Sequence, residues 1–173
     1  YFDAPPELTP GITEEMGFAG VRLRSPCRAP DKLDEFISIQ GASYFRVVSL
    51  NTVYGLSARA LALGTGGPNP EEFPVFTRLR LSRVTADRIR IDALMESPSV
   101  TGAVTLEITP GEPTVTDIDA VIFPRTTLAT VGIAPLTSMY LKGPIRASVS
   151  DDFRPAVHDR NALKILNGAG EAI

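Results

Sequence analysis

Within residues 151–159 the chain gathers Asp151, Asp152, Arg154, His158 and Asp159, which are three carboxylates, one arginine and the only histidine of the sequence. Carboxylates beside an imidazole suit proton transfer and hydrogen bonding to hydroxyl groups, the work that a neutral, hydroxyl-rich substrate such as a sugar requires. On chemistry alone two readings stay open: a site, or a solvated turn in which Asp and Pro make local hydrogen bonds. His158 has no second His or Cys at ligand spacing, so no metal site is expected, and no cofactor motif is present.

Three other segments carry reactive or polar groups. In 53–63, alternation sets Ser57 and Arg59 on one face, opposite Tyr54, Leu56 and Ala58. Ser57 lacks the Gly-x-Ser-x-Gly surroundings of an activated nucleophile, so serine hydrolysis is not supported. Gly64-Thr65-Gly66-Gly67 resembles a phosphate loop only superficially, because no Lys-Ser/Thr and no helical pattern follow it. The apolar run 132–140 reads either as a core strand or as one wall of a cleft to which Thr137, Ser138 and Tyr140 offer hydroxyls and an aromatic face. Cys27 is alone, which excludes an intrachain disulfide and any Cys-x-x-Cys site.

The scaffold that must position these groups has a period of two. Residues 43–49 place Tyr44, Arg46 and Val48 on one side and Phe45 and Val47 on the other. In 88–95, Ile89, Ile91, Ala93 and Met95 face one way. Segments 101–109 and 114–123 continue the pattern around Pro110-Gly111-Glu112-Pro113, where proline fixes φ and glycine permits positive φ. Fifteen prolines and fourteen glycines break the chain at short intervals. Only 12–16, with Thr13 as a cap, and 30–37, with Asp31 as a cap, have room for a helical turn or two. The expected class is all-β, a large antiparallel β-sandwich forming one domain or part of one.

Composition excludes several partners. Seventeen basic and twenty acidic residues give a net charge of −3 with no long like-charged run, so no nucleic-acid partner is expected. No apolar stretch approaches the roughly 20 residues of a membrane-spanning helix, and the chain is not expected to be membrane-embedded. It opens at Tyr1 without Met, as expected of a processed or excised piece.

Six ordered blocks carry a family resemblance: Gly41-Ala42-Ser43-Tyr44-Phe45-Arg46, Tyr54-Gly55-Leu56-Ser57-Ala58-Arg59, Glu71-Glu72-Phe73-Pro74, Ser97-Pro98-Ser99-Val100-Thr101-Gly102-Ala103, Ile133-Ala134-Pro135-Leu136-Thr137-Ser138-Met139 and Asp152-Phe153-Arg154-Pro155 with His158-Asp159. With these the chain resembles the osmoregulated periplasmic glucan biosynthesis proteins G and D. The match runs from about residue 17 to the end.

The resemblance implies a galactose-mutarotase-like sandwich, of which residues 1–173 would be the middle part, followed in the family by an immunoglobulin-like domain that is absent here. It implies a periplasmic protein acting on β-1,2-linked glucan, with a membrane glucan synthase as a second partner. Family members are also understood as inverting β-1,2-glucanases, which need an acid and a base on opposite sides of the scissile bond. Asp159, in the family's His-Asp pair, would be the base acting through a water relay, and the acid would come from sequence beyond this chain. Tyr44, Arg46, Tyr54, Arg59, Tyr140, Asp152, Arg154 and His158 are the expected substrate contacts. Tyr44, Arg46, Tyr54 and Arg59 are expected near one concave surface, although alternation opposes Tyr54 to Arg59 unless Gly55 carries a bulge.

The chain departs from the family in having no tryptophan. Losing an aromatic from a sugar cleft would remove a stacking face worth on the order of 1 kcal/mol, and with it a subsite preference. A non-catalytic glucan-binding or assembly module is the second expected function.

Overall fold

The same period-two alternation produces twelve β-strands and no α-helix among the described residues. The computed structural model describes residues 19–52, 55–85, 87–137, 141–142, 157–158 and 165–172, together with positions 11, 13, 15 and 17. Strands β1 (Gly20–Ser25), β2 (Asp34–Gln40), β3 (Tyr44–Val47) and β4 (Leu56–Arg59) form one antiparallel sheet in chain order. Strands β6 (Val75–Arg83), β7 (Ile89–Glu96), β8 (Val100–Thr109) and β9 (Val115–Pro124) form a second. Two short pairs join β5 (Leu61–Leu63) to β10 (Val131–Ile133), and β11 (Leu141–Lys142) to β12 (Val157–His158).

The two large sheets face each other across one apolar core. Phe36, Ile37, Ile39, Phe45 and Ala58 come from the first sheet, and Ile91, Ala93, Val104, Leu106 and Ile108 from the second. Each Ile, Leu or Phe withdrawn fully from water contributes about 1.5–3 kcal/mol, so this interdigitated layer is what holds the sandwich closed. A second cluster of Leu61, Leu63, Met95 and Val100 ties β5 to the hairpin end of the second sheet. Cys27 is buried in the first core. Burial, reinforced by the charge of Asp34, pushes its thiol up from the ordinary value.

Three sequence expectations change. Residues 30–37 do not form a helical turn: β2 begins at Asp34, because Phe36, Ile37 and Ile39 are worth more inside the core than in a short helix. Of the other helical segment, Ile12, Glu14 and Met16 lie outside the described residues. The strand expected over 53–63 is divided at Ala60. Its first part pairs with β3 and its second with β10, and the Ala60 amide donates to Ser43 O at 2.9 Å. In the run 132–140, Ile133 is 76% exposed, so this part is not a core strand.

The expected strands 88–95, 101–109 and 114–123 are present, with Ile91, Ala93 and Met95 buried as the pattern requires.

Candidate functional site

Strand register, more than any loop, gathers the candidate site. Tyr44 lies directly across from Arg59, and Arg46 from Ser57 on one side and Ser38 on the other. Residues opposed in an antiparallel pair share a face, so Tyr44, Arg46, Ser57 and Arg59 stand together on the side of the first sheet turned away from the core. Phe45 and Ala58, which alternate with them, are buried. Three of the four residues expected on one surface are therefore neighbours. Tyr54 lies outside the described residues.

A β-bulge completes this face. The pairing steps from Leu23↔Ile37 to Arg24↔Glu35, which leaves Phe36 as an extra residue. Without the step, strict alternation would send Glu35 inward with Ile37 and Ile39. With it, Phe36 enters the core and Glu35 turns to the polar face. There Arg22 Nε lies 2.7 Å from Glu35 Oε2, and Arg46 Nε donates to Glu35 Oε1 at 3.1 Å, with its Nη2 on the same oxygen. One carboxylate thus sits between two guanidinium groups.

Arg59 is held as firmly. Its guanidinium pairs with Glu71 and lies 5.2 Å from the centroid of the Phe73 ring, and its side chain is only 14% exposed. Thr65 Oγ1 donates to the same Glu71 oxygen at 2.8 Å. Burial would raise the Glu71 carboxyl, but these hydrogen bonds from Thr65 and Arg59, with the arginine's charge, hold it below its ordinary value. Ser57 accepts a hydrogen bond from Thr137 Oγ1 at 3.1 Å, and Thr137 N donates to Ser57 O.

At the β2 and β4 ends of this face lies a pocket of about 180 Å³ lined by Arg28, Asp34, Glu35, Arg46, Val48, Thr52 and Gly55. Arg28 forks onto Asp34, and that hydrogen bond, ahead of any other influence, keeps the Asp34 carboxyl below its usual range. The pocket is therefore lined by anions already matched to cations. Such a surface offers fixed donors and acceptors to hydroxyl groups.

Of the remaining expected contacts, Tyr140, Asp152, Arg154 and Asp159 lie outside the described residues, as does Asp151. The backbone of His158 pairs with Leu141 in the β11–β12 ladder. Among the described residues no group of three His, Cys, Asp or Glu side chains is arranged to hold a metal ion. Sequence reasoning missed Arg22, Arg28, Asp34, Glu35 and the partner role of Glu71. The alternation of 34–40 was the available signal for the first sheet's polar face, and the bulge disguised it. No described helix is long and apolar enough to cross a membrane.

The fold and this face together define a β-sandwich domain whose one sheet displays paired arginines, a tyrosine and hydroxyls. The family described as "Periplasmic glucan biosynthesis protein, MdoG" matches residues 1–173, and the chain belongs to it. It is 45% identical over 163 residues to the glucans biosynthesis protein G of Vibrio cholerae serotype O1, covering 93% of this chain and 30% of that protein. The protein of the same name from Shewanella frigidimarina is 46% identical over 163 residues, covering 93% of this chain and 29% of its own length. That of Bradyrhizobium diazoefficiens is 45% identical over 161 residues, covering 92% and 32%. The chain thus spans about a third of the relatives it matches.

Proposed function

We propose that this chain is part of a periplasmic protein that binds β-1,2-linked glucan and, in its full-length form, hydrolyses it with inversion. The observation that carries the binding half of the reading is the convergence of Tyr44, Arg46 and Arg59 on one sheet face, within sequence blocks of a glucan biosynthesis family. A tyrosine ring gives a sugar a flat apolar surface to lie on, while guanidinium groups fixed by carboxylates donate to its hydroxyls without a large cost of ordering.

In the catalytic half, Asp159 takes the proton of the attacking water through a relay, with Asp152, Arg154, His158, Tyr54 and Tyr140 completing the substrate contacts. The general acid comes from polypeptide outside these residues and would stand about 6.5–9.5 Å from Asp159, as inversion requires. The proton passes from water to the base while the acid protonates the departing glycosidic oxygen.

A second reading, a non-catalytic module that holds glucan and presents it to a membrane synthase, is favoured by one observation. Asp34, Glu35 and Glu71 are all engaged by arginines, which suits holding a chain better than transferring protons. Incubation of the full-length protein with linear β-1,2-glucan decides between them. Shorter oligosaccharides with inverted anomeric configuration support the hydrolase, whereas retention of uncut glucan supports the module.

A further inference from the structure

Among the described residues strand β9 has one unpaired edge, and apart from Ile122, which packs against the second core cluster, its large apolar side chains are exposed on both faces. It pairs with β8 over its whole length, from Thr109↔Val115 to Val100↔Pro124, and among the described residues no strand lies along its other edge. On the outer face Val121 and Phe123 are 55% and 59% exposed, and Leu94 reaches the same patch through Leu94↔Ala103↔Val121. On the inner face Ile118 is exposed although Leu106, directly across from it, is fully buried. The first sheet therefore covers β8 and stops short of β9.

A free edge this long, apolar on both sides, is a template for aggregation, and sheets protect such edges with charge, proline, bulges or a cover. Asp117 and Asp119 guard the middle of β9, but the stretch from Ala120 to Phe123 carries no charge. Antiparallel pairing of β9 with a second copy of itself over nearly its whole length, sheet faces aligned, would set Asp117 against Phe123 and Asp119 against Val121, or the two Asp119 side chains against each other. Each register desolvates carboxylates without a partner. About two thirds of the length of the relatives lies outside the stretch they share with this chain.

We propose that β9 is an interior strand of the full-length protein. A strand from the polypeptide outside residues 1–173 hydrogen-bonds along its free edge, and apolar side chains from that same part cover Ile118 on one face and Val121 and Phe123 on the other.

The test uses full-length protein carrying Phe123→p-benzoylphenylalanine, an aromatic exchange at an exposed position. Irradiation followed by mass spectrometry of the digest should give a link within one molecule to a residue outside residues 1–173. In the unmodified protein, all β9 amides should exchange hydrogen at least about 10²-fold more slowly than an exposed loop amide, whatever the protein concentration. A link to residues 1–173, a link between two molecules, or no link at all overturns the proposal. So does rapid exchange at alternate β9 amides, a readout that does not depend on how the probe affects folding.

Discussion

Glu35 and Arg46 meet on the polar face of the first sheet because Phe36 is bulged out of the β1–β2 ladder. Strict alternation would have buried the carboxylate, so one extra residue converts an unfavourable inward charge into the anchor of two arginines. The backbone irregularity and the site are thus one feature.

Replacing Glu35 tests this anchor. Glu35→Ala leaves Arg22 and Arg46 facing each other, and the full-length protein should lose about 1–2 kcal/mol of stability in urea unfolding, between the values for exposed and buried pairs. Arg22→Ala should cost less, since Glu35 keeps Arg46. Equal losses would show that the carboxylate is not the hub.

Gly55 fixes the approach of β4 to β3. A Cβ there would lie 2.0 Å from Val47 O, so Gly55→Ala must displace the strand that carries Ser57 and Arg59. A loss of about 1–3 kcal/mol is expected, with weaker retention on immobilised β-1,2-glucan. Gly168→Ala, where a Cβ meets nothing within 4 Å, should leave both unchanged.

Acid stability follows from the second sheet. A hydrogen bond from Thr105 first, and the guanidinium of Arg90 after burial is offset, hold the Asp92 carboxyl below its ordinary value. A carboxyl depressed in the folded state stabilises it above the unfolded value of about 4 and ceases to do so as pH falls through the folded value. Thermal midpoints should therefore drop between about pH 5 and pH 3, and Asp92→Asn should drop less steeply over that window. A variant curve parallel to the parent's would remove the assignment.

Asp159 is the carboxylate on which hydrolysis should depend. In the full-length protein Asp159→Asn keeps the side chain's shape and removes the base, so cleavage of β-1,2-glucan should fall at least about 10²-fold with binding largely retained. Asp151→Asn should cleave at close to the parental rate. Near-parental cleavage by Asp159→Asn would favour the binding module.

Alternation is a property of consecutive residues, and water acts on it locally. The sequence by itself therefore determined that 88–95, 101–109 and 114–123 are strands, that Ile91, Ala93 and Met95 point inward, that 110–113 turns the chain, and which family the blocks belong to. It also placed Ser57 and Arg59 on one face. What only the tertiary structure decided is where alternation is broken. Ala60 leaves the β4 line because its amide bonds Ser43 and the next residues pair with β10, some seventy positions away. Phe36 bulges because a core shared with Ile91 and Leu106 has room for its ring. The partners of Arg59 are Glu71 and Phe73, brought in by a loop whose own pattern says nothing of strand β4. Such choices depend on hydrogen bonds and packing between segments distant in sequence, and no local period records them.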